Sequence, residues 1–203
     1  MGMTPLPSLA DKLGFVLLYL TPNAQQGITC WDANTAKSLT HDGGSDSQGI
    51  TGMVAWALKP YDGDTTTKVF VVGDSSGAME SNVLVFAGAA SYSGVPADCW
   101  GGSPISTSLS SDLSCPLGKK ASTYTPKQWG DAARGCNPGY SNNSTQHRPK
   151  MMIMHVTVGH GPQLDQWSDM LGVSFSKNIS NGPIENRKKI VYGDGTTLVG
   201  YEV

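Results

Sequence analysis

The segment Gly73–Gly77 reads GDSSG and places Ser75 at the centre of a G-x-S-x-G pattern. An apolar, β-branched run, Lys68–Val72, enters this segment, and a stretch with apolar residues at helical spacing, Ser76–Phe86, leaves it. A strand-to-helix turn this tight strains the backbone of its central residue, and glycines on both sides avoid collisions of a Cβ with the neighbouring strand and helix. The pattern predicts that Ser75 presents an exposed nucleophilic hydroxyl at the start of a helix.

The same turn predicts a second catalytic group. The backbone N–H of Ser76, the residue after the nucleophile, would donate to a developing oxyanion, and the helix dipole would favour that charge. The alternatives are a plain turn and a phosphate-binding loop. The phosphate-binding loop is excluded because this sequence has no lysine after the second glycine. A serine hydroxyl also needs a histidine to accept its proton and an acid to orient that histidine.

Strands alternate with helices along the chain, which predicts right-handed crossovers, a mainly parallel sheet and one domain over residues 1–203. The carboxyl ends of parallel strands then share one sheet edge with Ser75. The predicted strands are Gly14–Leu20, Lys68–Val72, Ala87–Tyr92, Met151–Val156 and a terminal pair, Lys189–Tyr192 with Thr197–Tyr201. Ser45 or Asp46 is predicted to cap a helix that ends near Lys59. Further helices are predicted over Ser76–Phe86, from Thr125 with Pro126 to about Arg134, and over Pro162–Leu171.

The composition excludes several classes of function. The 203 residues are long enough for one sizeable core, 38% of them are apolar, and the net charge is −2. That charge gives no field to attract nucleic acid or an anionic membrane, and no apolar run approaches the roughly 20 residues of a membrane span. No Cys/His spacing suits a metal such as zinc and no glycine pattern suits a dinucleotide, so no cofactor is expected.

Several features favour a secreted, extracellular protein. Four cysteines lie in loops rich in Gly, Ser and Pro, and N-glycosylation sequons occur at Asn142, Asn143 and Asn178. The N-terminus MGMTPLPSLADKLGF lacks the features of a secretory signal, so the signal is expected to be missing from this chain.

Four stretches together resemble the polyhydroxybutyrate-depolymerase-like esterases, and within them the fungal acetyl xylan and feruloyl esterases of the first carbohydrate esterase family. The stretches are CWDANTAKSLTHDGGSDSQGI, GDSSGAM, SYSGVPADCW and VYGDGT, and the resemblance extends from about Leu9 to Val203. It implies an α/β-hydrolase fold with helices on both faces of the sheet. It further implies secretion and the removal of acetyl or feruloyl groups from xylan with a Ser–Asp–His triad, in which Ser75 is the nucleophile. The protein is expected to be a monomer.

The rest of the triad does not match the family pattern. The family acid lies in a stretch resembling His-Gly-Thr-Ala-Asp, and the matching stretch here, His155–Gly159, has Gly159 at the carboxylate position. The family histidine would follow the last residue, Val203, and the segment that supplies the second oxyanion donor would precede the first predicted strand. The fold is therefore expected to be incomplete at both termini, with an open sheet edge and uncovered apolar surface.

One other histidine could serve as the base. His160 is next to the acid position, and Asp165 follows it in the same segment, at the sheet edge where Ser75 is expected. His147 lies in a polar loop, His41 in a loop near the serine turn, and His155 at a family position that is not the base.

The resemblance suggests that Cys99 and Cys115 form a disulfide around a Gly/Ser loop. Cys30 matches a family cysteine whose partner lies in the missing N-terminal part, so it is either free or bonded to Cys136. Among the tryptophans, Trp100 is the candidate for contact with a sugar ring. Trp31 and Trp167 are expected to be packing residues.

The sequence thus predicts a carboxylic ester hydrolase that acts on acetylated or feruloylated xylan through an acyl-enzyme on Ser75. The alternative is an inactive member of the same family that keeps the fold and binds xylan without turnover.

Overall fold

The computed structural model describes residues 5–22, 29–40, 43–61, 67–84, 86–101, 114–115, 117–120, 123–136, 149–155, 160–183 and 185–203. The helices are α1 (Leu6–Leu13), α2 (Ser45–Leu58), α3 (Ser76–Ser81), α4 (Pro126–Cys136) and α5 (His160–Leu171). The strands are β1 (Phe70–Asp74), β2 (Gly88–Tyr92), β3 (Lys150–His155), β4 (Phe175–Ser180), β5 (Lys188–Tyr192) and β6 (Leu198–Glu202).

The six strands form one mixed sheet in the order β1-β2-β3-β6-β5-β4. The first four in that order are parallel, and β5 pairs antiparallel with both β6 and β4. The predicted α/β class, the mainly parallel sheet and the terminal strand pair are confirmed. The carboxyl ends of β1, β2, β3 and β6 therefore lie at one edge, where Ser75 follows β1.

The main core lies between the sheet and α5. Ala89, Met151 and Leu198 occupy one register row on the same face, and they share a buried cluster with Trp167 and Leu171 of α5. Trp167 is only 2% exposed, and its indole N–H donates to Asn82 Oδ1 at 2.9 Å, so its predicted packing role is confirmed. Helix α4 packs in turn against α5.

The other face of the sheet carries apolar residues next to a free edge. Val72, Ala90, Met152 and Val199 share a register row there and line an apolar groove with Phe70. Among the described strands, β1 has a neighbour on one side only, and Phe70 and Val72 are 64% and 58% exposed. The expected open edge and uncovered apolar surface are confirmed for this part of the chain.

The strand predicted over residues 14–20 is wrong. This segment has no regular secondary structure, and Val16 and Tyr19 are 62% and 68% exposed. A continuous apolar run indicates a strand only when neighbouring strands pair with it and both faces are covered. Among the described strands none pairs with it.

The edge strand β4 was not predicted. All six of its residues are exposed, and its sequence FSKNIS carries only two large apolar side chains. A strand without a buried face gives no hydrophobic alternation, so its formation depends on pairing with β5.

Two helix ends differ from the prediction. Helix α3 ends at Ser81 instead of residue 86, and the next residue, Asn82, accepts side-chain hydrogen bonds from Gln163 and Trp167 of α5. The chain turns there, so Val83 and Leu84 enter two different core clusters. Helix α2 begins after Gly44, and neither Ser45 nor Asp46 caps it as predicted.

Candidate active site

Ser75 lies at a sharp turn between β1 and α3. Its backbone has φ 54° and ψ −117°, a conformation that L-residues rarely adopt, and its N–H donates to the carbonyl of Tyr92 at 2.9 Å. This hydrogen bond continues the β1–β2 ladder by one residue before the chain turns. The side chain is exposed at the carboxyl edge of the sheet. The predicted turn is confirmed, and Ser75 is an exposed residue there, while its role as the nucleophile stays a prediction.

The two flanking glycines have different roles. A Cβ on Gly73 would overlap the carbonyl of Gly77 and lie 2.6 Å from Ala78 N, so β1 and α3 approach closely only because residue 73 is glycine. A Cβ on Gly77 would meet only the Trp31 ring, at 3.5 Å, an ordinary contact. The expectation that both glycines avoid collisions is confirmed at Gly73 and wrong at Gly77.

Ser76 is the first residue of α3, and the first N–H groups of a helix have no partner within it. Its backbone N–H follows Ser75 directly, which is the position expected of an oxyanion donor. Its hydroxyl oxygen accepts a hydrogen bond from the backbone N–H of Trp31 at 3.2 Å. Trp31 is half-buried and packs against the cluster that contains Ile50 and Phe86, so its predicted packing role is confirmed.

The predicted base, His160, is the first residue of α5, the helix that follows β3. The amino end of α5 therefore belongs to the same sheet edge as Ser75. The side chain of His160 lies outside the described residues, so its role as the base stays a prediction. Gly159, His41 and His147 also lie outside them.

Asp165 lies in the middle of α5 and interacts with Tyr192 of β5. Burial raises the pKa of Asp165. The pKa of Tyr192 is raised mainly by its own burial and further by the charge of Asp165. Tyr192 pairs with Leu198 at the amino end of β6, whereas Ser75 follows the carboxyl end of β1. The described charge interaction of Asp165 is therefore with Tyr192 of β5 and not with the serine turn.

His155 ends β3 and pairs in register with Glu202 of β6. Both side chains are half-buried at the carboxyl edge, and the N–H of Val203 donates to the His155 carbonyl at 3.2 Å. Strand β2 separates β3 from β1, so two strand spacings, roughly 10 Å, lie between His155 and the serine turn.

The predicted disulfide between Cys99 and Cys115 is confirmed, with a Cα–Cα distance of 5.7 Å. Trp100 is half-buried against the cluster that contains both cysteines, Trp129 and Met79 of α3. The disulfide and Trp100 therefore pack against the helix that follows the serine turn. Cys30 and Cys136 are both free, so the alternative that they bond to each other is wrong.

A largely buried acidic cluster behind the turn was not predicted from the sequence. It consists of Asp32, Asp46 and Glu80, and Glu80 is 1% exposed. Burial, assisted by the charges of Asp46 and Asp32, raises the pKa of Glu80 to about 9, although the hydroxyl of Ser38 acts in the opposite direction. The signal in the sequence was Glu80 itself, a carboxyl residue between the apolar Met79 and Val83 of the predicted helix.

Among the residues that the structure describes, no group of three or more His, Cys, Asp or Glu side chains is arranged to hold a metal ion. No helix in the described ranges has both the length and the apolar character needed to cross a membrane.

Comparison with known proteins relates nearly the whole chain to two kinds of protein. It is 41% identical to feruloyl esterase B of Neurospora crassa, over 98% of this chain and 69% of that protein. It is 37% identical to probable acetylxylan esterase A of Aspergillus fumigatus, over 94% of this chain and 53% of that protein. The chain thus spans only part of the length of these relatives.

The solved acetyl xylan esterase from Aspergillus awamori matches the fold with a TM-score of 0.84 at 30% identity. The match covers 98% of this chain and 74% of that one. No protein-family model matches the chain.

Proposed function

The chain belongs to the family of the fungal feruloyl and acetylxylan esterases, and from this premise we propose that it hydrolyses acetyl or feruloyl esters on xylan with Ser75 as the nucleophile. The observation that carries the proposal is the backbone of Ser75, which is held at φ 54° and ψ −117° with its side chain exposed. Such strain costs of order 1–3 kcal/mol, and it persists in proteins mainly where function requires the geometry.

In the proposed first step, Ser75 Oγ attacks the carbonyl carbon of the ester and gives up its proton to the base, for which His160 is the candidate. The carbonyl oxygen becomes an oxyanion, and the N–H of Ser76 donates to it. The bond to the sugar oxygen then breaks, and the base returns the proton to that leaving oxygen. An acyl-enzyme on Ser75 remains.

In the second step, a water molecule gives a proton to the base and attacks the acyl carbonyl. The bond to Ser75 Oγ breaks, the base returns the proton to that oxygen, and acetate or ferulate leaves. Each proton taken up by the base is thus returned within the same half-reaction, so the serine is restored after each turnover.

Trp100 is the proposed contact for a sugar ring, since its half-buried side chain lies in a disulfide-closed loop against α3. We further propose that the protein acts outside the cell as a monomer. The Cys99–Cys115 disulfide supports an oxidising compartment, and the sequon residue Asn178 is exposed on β4.

A second candidate function is xylan binding without turnover. It is favoured by Gly159, which occupies the position where the family acid is expected. Without an acid to orient the base, activity would fall by several orders of magnitude even with the serine turn intact.

Hydrolysis of an aryl acetate and an aryl ferulate by the purified chain and by Ser75→Ala tests the proposal. Acetate release from acetylated xylan should be measured in parallel. We expect turnover that Ser75→Ala abolishes. Equal background rates in both proteins would reject the esterase, and retention on insoluble xylan would then favour the binding function.

A further inference from the structure

The segment of residues 31–38 contacts α3 at two points, and we refer to it as the clamp segment. At the first point, the Trp31 N–H donates to Ser76 Oγ at 3.2 Å, next to the nucleophile. The Trp31 ring also lies against Gly77, whose Cβ position would be 3.5 Å from it. This end of the clamp segment therefore restrains the first turn of α3, which carries the N–H proposed to bind the oxyanion.

The second contact lies one helical turn further along α3. The Ser38 hydroxyl approaches both carboxyl oxygens of Glu80 at 3.5 Å, and both residues are fully buried. Ser76 and Glu80 are four residues apart, so they face the same side of the helix. The clamp segment thus follows one face of α3 along its length.

Asp32 fixes the shape of the clamp segment. Its side chain is 4% exposed and accepts hydrogen bonds from Thr35 N at 3.1 Å and from Ser45 Oγ at 3.0 Å. Its own N–H donates to Asp46 Oδ2 at 2.7 Å. These bonds hold residues 31–38 on the amino end of α2, a longer helix that does not carry the nucleophile.

We propose that the clamp segment positions the Ser76 N–H for oxyanion binding through its bonds to Ser76 and Glu80, and that Glu80 does so only as the neutral acid. This inference rests on the proposed function of the site. Ser76 Oγ, Asp32 and Glu80 are positioning residues in this account, and none of these side chains touches the ester.

The requirement for a neutral Glu80 follows from its surroundings. The charged groups that act on it are Asp46 from α2 and Asp32 from the clamp segment, and both are acidic. A Glu80 carboxylate would repel both of them from its buried position, where charges interact more strongly than in water, and so push the clamp segment away from α3. Because burial and these charges raise the pKa of Glu80 from 4.5 to about 9, the acid is neutral at pH 7.

The sign of the pH effect is fixed by that shift. The folded state holds the Glu80 proton more tightly than the unfolded chain does, so the contribution of Glu80 to stability is complete below pH 4.5. It declines as pH rises and is lost by about pH 9. Activity should fall near pH 9 for the same reason, since that is where the folded protein loses the proton.

Glu80→Gln tests this step because the amide keeps the shape of the neutral acid and cannot ionise. The exposed Glu185 provides the matched control, Glu185→Gln. We expect kcat of the wild type for an aryl acetate to fall reversibly through about pH 9, and Glu80→Gln to lack that fall. The unfolding midpoint of the wild type in urea should decline between pH 5 and 9 relative to Glu80→Gln, while Glu185→Gln follows the wild type.

Ser76→Ala and Ser76→Thr test the other contact at pH 7. Alanine removes the acceptor of the Trp31 N–H, and we expect kcat to fall by about tenfold with KM unchanged, because the oxyanion donor is displaced in the transition state. Threonine keeps the hydroxyl and should restore kcat to within about twofold of the wild type.

Two results would contradict the proposed role of the clamp segment. One is full kcat in Ser76→Ala, and the other is the same pH dependence of kcat and of unfolding in Glu80→Gln as in the wild type. If the wild type shows no turnover at any pH, the proposed function fails instead. The unfolding curves still decide the role of Glu80 in that case, since parallel curves for the wild type and Glu80→Gln would reject it.

Discussion

Gly73 of β1 and Gly77 of α3 are so close that a Cβ on Gly73 would overlap the Gly77 carbonyl. This approach brings the start of α3 directly over the end of β1 and leaves Ser75 between them at positive φ. The geometry of the proposed nucleophile therefore depends on Gly73, two residues before it, because glycine has no Cβ.

Gly73→Ala should destabilise the fold and remove activity. The new methyl group would force β1 and α3 apart, and overpacking of this kind costs roughly 1–3 kcal/mol. Gly49→Ala is the matched control, because Gly49 lies in α2 with open space around its Cβ position. That change should stabilise the protein by about 0.5–1 kcal/mol. Urea unfolding of both variants measures the contrast, and equal effects would contradict the close approach.

Ser75→Gly should stabilise the protein while it abolishes hydrolysis. Glycine adopts φ 54° without the strain that a Cβ causes, and the gain should be about 1 kcal/mol after the entropy of the unfolded glycine is subtracted. Ser75→Ala keeps the Cβ and should be inactive without that gain. Thermal unfolding distinguishes the two, and equal melting temperatures would show that Ser75 is not strained.

Loss of the Cys99–Cys115 disulfide should destabilise the fold by about 3 kcal/mol, as the closure of a loop of this length predicts. The double variant Cys99→Ala/Cys115→Ala removes it, and Cys30→Ser is the control because Cys30 is free. Urea unfolding under oxidising conditions measures the difference. Equal stability of the double variant and the control would mean that the disulfide loop does not support the fold.

Trp100→Ala should weaken the use of xylan but not of a small ester. Loss of a sugar-stacking surface should raise KM for acetylated xylan severalfold and leave kcat/KM for an aryl acetate within about twofold. Trp56→Ala is the control, since Trp56 is 69% exposed on α2. A parallel loss on both substrates would indicate that Trp100 supports packing around α3 only.

The serine turn was predictable because its signals are local. The glycines, the serine and the apolar strand that enters the turn all lie within ten residues. After Ser75 the apolar run of a strand is replaced by apolar residues at helical spacing. The parallel sheet was predictable for the same reason, since β1 and β3 contain apolar runs and a helix follows each of them along the chain.

The predictions from sequence were wrong or incomplete where contacts between distant parts of the chain decide the structure. Residues 14–20 have the composition of a buried strand, but a strand forms only where a neighbour accepts its hydrogen bonds. Edge strand β4 is the converse case, since its pairing with β5 suffices without a buried face. Glu80 alone gave a local signal. The acidic cluster was not predictable because its three members are far apart in sequence, and only the contact of residues 31–38 with α3 brings Glu80 near Asp32.

The covalent state of Ser75 is the most direct test of the account. The chain should be mixed with an aryl acetate at pH 5, quenched within the first turnovers, digested and sequenced by mass spectrometry. We expect a mass increase of one acetyl group on the peptide that carries Ser75, located at that residue and absent from Ser75→Ala. An acetyl group on Ser76 or on a lysine, with Ser75 unmodified while the ester is hydrolysed, would contradict the claim that this turn presents the nucleophile.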